Sequence, residues 1–225
     1  MSQILFFGRD RCKYSNQARN HLEKLGFKIE YIASKDRNES LPENVKNWQG
    51  EYIFCFRSFY ILPKDLIDNA RIAAINFHPG SPEYPGSGCL NFALYENAKS
   101  YGATAHLMNE KVDNGKIIEC TRFSVLKDDN VNTLLKKTHK KMYELFCSIT
   151  TGLSSNGEIY LKKKLKLSKN EKWTGIVRKL SDLNKLQIIE ADMTKEEIIK
   201  RIRAFHTDDY PIKINLHKHN FILKK

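Results

Sequence analysis

Asn76 and His78 stand two apart at the end of an apolar run, Ala73 to Phe77, and a loop of Pro, Gly and Ser follows at once: INFHPGSPEYPGSG. Side chains two apart on a strand share a face, so both can enter one crevice. An amide that donates and an imidazole that shuttles protons are the parts acyl transfer needs. An oxyanion donor of this kind is worth about 2.7–4 kcal/mol of barrier. A general base adds roughly 10²–10⁴ in rate. An imidazole also needs a carboxylate to orient it, and Asp113, in the tight turn Val112-Asp113-Asn114-Gly115, is the candidate. Judged by residue type alone, His78 could equally cap a turn and Asp113 merely form one.

The elements that must position these groups follow from the hydrophobic pattern. Ile4 to Phe7 reads as a buried strand ended by Gly8, and Ala18, Leu22 and Leu25 as a helix closed by Gly26. Ile29 to Ile32 and Tyr52 to Phe56 read as two further strands. Pro63 opens a short helix through Ile67, and Ala73 to Phe77 is the fourth strand. Leu90 to Ala98 follows as a helix. Thr104 to Met108 and Ile117 to Val125 are strands around the Asp113 turn, and a long helix runs from Val131 to Leu153. Strand and helix alternate, which predicts an α/β fold with a doubly wound, mainly parallel sheet. Ligands of such a sheet sit beyond the carboxyl ends of its strands. Arg9, Asp10, Arg57, the Pro/Gly loop and Asp113 all fall on that edge. The first strand-to-helix turn, Gly8-Arg9-Asp10-Arg11, lacks the dinucleotide fingerprint, so neither NAD nor ATP is supported.

Past Leu153 the pattern changes. Gly152 to Gly157 reads as a Ser/Asn/Gly linker. Thr194 and Glu197 form a capping box before Ile198, Ile199 and Ile202, and Tyr210 to Leu216 with Asn220 to Leu223 reads as a terminal hairpin. The expected organisation is a catalytic domain over residues 1–153. A small C-terminal α+β appendage over 154–225 would serve substrate contact, dimerisation or both.

The chain has 225 residues and a formal net charge of +12, unevenly spread: 17 Lys/Arg against 9 Asp/Glu in residues 151–225, and 21 against 17 before them. Such a basic tail favours a polyanionic partner, whether RNA, a membrane face or a phosphate-bearing small molecule. No apolar run reaches the ~20 residues that span a bilayer. The N-terminal MSQILFFGRD does not read as a secretion signal, so a cytoplasmic chain with no membrane partner is expected. Five cysteines at wide, irregular spacing form no C-x-x-C pair and read as reduced, buried thiols. The histidines form no convincing metal-ligand cluster, and no metal is expected.

Taken together, INFHPGSPEYPG, the later YGATAHLMNEKVDNGKII and the upstream RSFYILPKDLI (Arg57 to Ile67) resemble the folate-dependent formyltransferases. The likeness is clear over about residues 50–125 and extends in outline over the first 150. It implies a Rossmann-like formyltransferase fold with Asn76, His78 and Asp113 as catalytic residues. It also implies 10-formyltetrahydrofolate as formyl donor, its pterin held by Phe56, Arg57, Tyr60, Ile61, Leu62, Val112 and Asp113. The acceptor is then a primary amine.

The loop spelling after His78 is most similar to that of N-formyltransferases of nucleotide-linked amino sugars. That similarity implies a dTDP-4-amino-4,6-dideoxyhexose, with the glucose form expected, for surface polysaccharide or O-antigen synthesis. Arg9, Asp10, Tyr14, Ser15, Pro79, Gly80, Glu83 and Tyr84 would border the acceptor. Trp173, Phe205 and Tyr210 could stack on its base, although core packing is the simpler role for each aromatic. A homodimer with no nucleic-acid partner is expected. Three other readings stay open: a methionyl-tRNA formyltransferase, a thiol hydrolase built on Cys89 and His78, and a non-catalytic, basic RNA-binding module.

Overall fold

The computed structural model describes residues 2–217 and 219–224. Its central sheet has six strands: β1 (Gln3–Arg9), β2 (Lys28–Ser34), β3 (Gly50–Phe56), β4 (Ala70–His78), β5 (Ser100–Leu107) and β6 (Ile117–Ser124), in the order β2-β1-β3-β4-β5-β6. The first four in that order run parallel, and β5 and β6 are antiparallel additions. The α/β, mainly parallel expectation therefore holds, with an antiparallel edge beside β4.

The uninterrupted apolar strands are covered on both faces, as buried parallel strands must be. Ile4, Phe6, Tyr52, Phe54, Phe56, Ile75 and Phe77 point to one face. There they meet α1 (Lys13–Lys24) and α4 (Val131–Leu167). Leu5, Phe7, Ile53, Cys55 and Ala74 point to the other, under Val45, Trp48, Leu66 and Ile67, the last two on α2 (Lys64–Asp68). Period-two alternation along β4 thus sends Phe77 into the first core and leaves Asn76 and His78 on the opposite face.

The chain does not break into a linker after Leu153. Gly152 to Gly157 lie within α4, which is interrupted only at Gly157 (φ +49, ψ −130). A Cβ on Gly152 would lie 2.3 Å from the Tyr160 ring, so a glycine there lets the second half of the helix fold back. Leu161 then joins the first core, and Lys164 reaches Glu119 on β6. Small and polar residues read as a linker because the tertiary contacts that make them helical cannot be seen in sequence.

Beyond α4 come α5 (Leu180–Leu186), β7 (Ile188–Glu190), α6 (Lys195–Phe205), β8 (Lys213–Leu216) and β9 (His219–Ile222). The expected hairpin is β8–β9, antiparallel, with β7 added parallel to β8. Thr194 caps α6 by accepting from the Glu197 N–H. The Glu197 carboxylate turns instead to Tyr95 and Arg201, so only half of the expected capping box forms. A separate core joins this region to α3 (Cys89–Tyr95), through Phe92, Leu94, Phe205 and Ile212.

Candidate active site

Asn76 on β4 is paired directly opposite His106 on β5. Its Nδ2 lies 3.1 Å from His106 Nε2 and donates to Asp113 Oδ1 at 3.4 Å. His78 Nδ1 is 3.1 Å from Asp113 Oδ2, and His106 Nε2 is 3.4 Å from Oδ1. The Gly86 N–H donates to Oδ2 at 2.9 Å. One carboxylate therefore gathers two imidazoles, an amide and a backbone N–H. Asp113 takes a left-handed backbone conformation (φ +45), uncommon for a residue with a side chain. The Gly115 that follows is obligatory, since a Cβ there would lie 1.7 Å from the Leu107 carbonyl oxygen.

The loop after His78 is fixed by side chains of β5. Thr104 Oγ1 donates to the Gly80 carbonyl at 2.7 Å, and the Tyr101 hydroxyl donates to the Pro79 carbonyl at 2.6 Å. Gly80 leaves room for the imidazole, because a Cβ there would meet His78 Nε2 at 2.5 Å. That Nε2 lies 2.9 Å from the Tyr84 carbonyl oxygen, so with both ring nitrogens facing acceptors the imidazolium is favoured.

His78 and Asp113 are almost completely buried, which sets their protonation. Burial pulls the His78 imidazole down, but the Asp113 carboxylate and the Tyr84 carbonyl outweigh it and raise the pKa above its ordinary value. Burial likewise pushes Asp113 up, yet the charges and hydrogen bonds of His78 and His106 hold it far below the usual carboxylate range. Cys89 opens α3, its Sγ donating to the Pro79 carbonyl at 3.3 Å. Burial lifts that thiol to about 11, leaving little thiolate near neutrality.

A second cluster sits at the carboxyl ends of β1 and β3, where the strand order reverses. The Arg9 guanidinium lies 3.8 Å over the Phe59 ring, with Arg37 over the same ring at 5.2 Å. Arg9 Nε donates to the Arg57 carbonyl at 3.1 Å, and Arg57 Nη1 to Cys12 Sγ at 3.2 Å. Among the described residues none of these three arginines has a carboxylate partner. Burial, then the charge of Arg57, brings Arg9 down to about 10. Burial and the same two cations, Arg57 and Arg9, lower His139 to about 3. Tyr14 packs on His139, and Ser15 is buried, accepting from the Arg9 N–H at 3.1 Å. Asp10 is exposed beside Arg11, and Tyr210 is exposed as well.

Several expected positions are placed elsewhere. Phe56 is wholly buried in the first core against Phe146, because the strand's alternation turns it from the crevice. It presents a backbone carbonyl, not a ring, to the site, accepting from Ser15 Oγ at 3.4 Å. Leu62 is buried in the opposite core, and Tyr60 packs edge-on to Phe7. Ile61 and Val112 are the exposed apolar residues of the expected donor pocket, at 75% and 48% exposure. Nearby, α2 and the 108–114 loop flank a groove of about 350 Å³, lined among others by Lys64, Ile67, Met108 and Asn114. Phe205 is buried between Phe92 and Tyr95, a core residue. Trp173 reaches the Asp113 cluster itself, meeting the rings of His78 and His106. Glu83 is held by Arg122 at 3.0 Å. No motif in the sequence marks His106 or Arg122. Their only signal was a polar residue inside the strand TAHLM and another in CTRFS; the partners lie across the sheet.

An α/β sheet that ends in an amide, an imidazole and a buried carboxylate brings together the groups that acyl-group transfer needs. Residues 7–150 match the family described as formyl transferase, and the chain belongs to that family. Among curated proteins it is similar to a methionyl-tRNA formyltransferase of Listeria innocua, 28% identical over 139 residues, 61% of this chain and 44% of the relative. The chain thus spans less than half the length of that relative. Among solved structures, a sugar N-formyltransferase from a Shewanella species superposes with a TM-score of 0.75 at 19% identity, covering 100% of this chain and 97% of that one. An N-formyltransferase from Helicobacter canadensis, solved with folinic acid and dTDP-3-aminofucose, gives a TM-score of 0.72 at 17% identity over 97% and 85% of the two chains.

Proposed function

We propose that the protein transfers a formyl group from 10-formyltetrahydrofolate to the primary amine of a dTDP-linked amino sugar, dTDP-4-amino-4,6-dideoxyglucose being the leading acceptor. The observation that carries the reading is the convergence of Asn76, His78 and Asp113 on one buried cluster. When bound, the folate supplies an activated formyl carbon. Ile61 and Val112, apolar yet exposed beside the groove between α2 and the 108–114 loop, fit a flat heterocycle that would cover them.

Asn76 Nδ2 would donate to the formyl oxygen as negative charge develops there. His78 would accept the proton that the attacking amine releases. For that, the amine must take the place of the Tyr84 carbonyl at Nε2. Asp113 fixes the ring through Nδ1 and stabilises the imidazolium that forms.

The choice of a nucleotide-linked acceptor is supported by Arg9, Arg37 and Arg57. Three cations crowded at one sheet edge without a carboxylate suit a diphosphate. The Helicobacter protein, whose structure holds a dTDP-sugar, is similar over nearly the whole chain. Apolar Leu216, Phe221 and Ile222, exposed on the terminal hairpin, support the homodimer.

The deciding experiment offers 10-formyltetrahydrofolate with dTDP-, UDP- and GDP-linked amino sugars and with charged initiator tRNA. Formylation of the dTDP-sugar with none of the tRNA is expected. Formyl-methionyl-tRNA as the sole product would replace this reading with that of the curated relatives. Full activity in Cys89→Ser is expected and disposes of a thiol mechanism. Steeply salt-dependent RNA binding without turnover would favour a basic binding module.

A further inference from the structure

Trp173 lies in the extended segment after α4, beyond the residues that match the family. Its indole meets the His78 ring at 5.6 Å and 75°, and the His106 ring at 5.0 Å and 88°. Its Nε1–H donates to the Gly115 carbonyl at 2.8 Å, in the turn that carries Asp113. One side chain thus touches both imidazoles and the backbone holding their shared carboxylate. Trp173 belongs to none of the three apolar cores and is only half-buried, so filling a core does not account for it.

The segment is pinned on both sides of the indole. Before it, Glu171 accepts a two-pronged ion pair from Arg122 on β6, at 2.7 and 2.8 Å, and the same guanidinium holds Glu83 of the loop after His78. After it, the Thr174 and Gly175 N–H groups donate to the Pro82 carbonyl at 3.2 and 3.5 Å. The Ser87 N–H donates to the Arg178 carbonyl at 2.8 Å. Gly175 admits this approach, since a Cβ would lie 1.9 Å from the Glu83 carbonyl oxygen. The C-terminal segment and the loop after His78 are therefore laced into one layer, with Trp173 facing the imidazoles.

We propose that Trp173 and Arg122 are positioning residues for the His78–Asp113–His106 cluster, so that the C-terminal region completes a reaction centre whose reacting groups all lie before residue 150. This rests on the formyl-transfer reading of that cluster. Trp173 holds the two rings edge to face, keeps His78 Nδ1 on Asp113 and shields the pair from water. Arg122 acts through it by tying Glu171 to Glu83. Catalysis depends steeply on such alignment: a misplacement of about 1 Å can cost on the order of 10²-fold in rate.

The chain has two tryptophans, and Trp48 Nε1 makes no hydrogen bond among the described residues, so Trp48→Phe leaves Trp173 as the sole indole emitter without orphaning a partner. A protonated imidazole against an indole quenches its emission. The carboxylates facing the pair, Asp113, Glu83 and Glu171, are all held below their ordinary values. Cys120 and Tyr84 are raised to about 11 and about 12, and Arg122 stays charged. A titration from about pH 5 to 9 therefore reads the His78 imidazole.

Emission should rise across that range, with a step that disappears in His78→Asn. Arg122→Ala, and Glu171→Gln from the other side, should shrink the step and lower kcat about tenfold, with the KM for the folate donor changed less than about twofold. Trp173→Phe should recover most of the kcat that Trp173→Ala loses. Flat emission, or a step unchanged in His78→Asn, would overturn the proposal whatever the substrate. Unchanged kcat in both Trp173→Ala and Arg122→Ala would overturn it in an active enzyme. A wild-type protein that formylates no acceptor would refute the formyl-transfer reading instead, while the emission titration still tests the contact.

Discussion

His78 Nδ1 and Asp113 Oδ2, 3.1 Å apart, form a buried pair in which each group reverses what burial alone would do to the other. Because the imidazole pKa is raised, the neutral base appears only above the ordinary value of about 6.5. Formyl-transfer kcat/KM should therefore climb with pH through a midpoint above that value. Asp113→Asn removes the carboxylate and leaves burial dominant, so the midpoint should fall below about 6.5 while the plateau rate drops by orders of magnitude. A pH–rate profile of both proteins checks this; an unmoved midpoint in Asp113→Asn would mean another group sets it.

The same pair should be visible in stability. A raised histidine stabilises the fold fully below its unfolded value, and the contribution fades as pH rises through the folded one. A depressed aspartate stabilises fully above about pH 4, and the contribution is lost as pH falls below that. Both contributions overlap between about pH 4 and 6.5. Thermal melts should show His78→Asn and Asp113→Asn losing most Tm in that window. Equal losses at pH 5 and pH 9 would deny the coupling.

Asn76 Nδ2 donates to Asp113 Oδ1 and lies beside His106 Nε2, and the residue is half-buried, so its amide can turn to a developing oxyanion. Asn76→Ala should reduce kcat by about 10²–10³, equivalent to about 2.7–4 kcal/mol. Folate binding, measured by calorimetry, should change little. Loss of folate affinity with unchanged kcat would make Asn76 a binding residue only.

Much of this arrangement was legible because it rests on local patterns. Alternation along Ala70–His78 is enough to place Asn76 and His78 on one face, and the apolar run Tyr52–Phe56 is enough to bury that strand. What escaped was non-local. His106 becomes part of the site only because β5 pairs antiparallel with β4 in a register that sets it opposite Asn76. The alternation that turns Asn76 to the crevice also sends the Phe56 ring into the first core, a consequence of residue parity along neighbouring strands. Gly152 to Gly157 looked like a linker because their helical state depends on Tyr160 and Leu161 packing back onto the core.

Phe205 and Arg9 make opposite predictions. Phe205 is 1% exposed between Phe92 and Tyr95, in the core that joins α6 to α3. Its truncation to Ala should cost about 3–5 kcal/mol of stability through lost burial and a residual cavity. The fraction that stays folded should keep its acceptor KM. Arg9, by contrast, spends its charge on Phe59 and a backbone carbonyl, beside two like charges. Crowded cations repel, so Arg9→Ala should leave the melting temperature nearly unchanged or raise it. The KM for a diphosphate-linked acceptor should rise about 10- to 100-fold, on the order of a lost charge-assisted hydrogen bond. Melts and acceptor titrations on the two variants test both assignments. A Phe205→Ala protein of native stability with weakened acceptor binding would move that ring from the core to the site, and the reverse result for Arg9 would remove it from the acceptor's diphosphate.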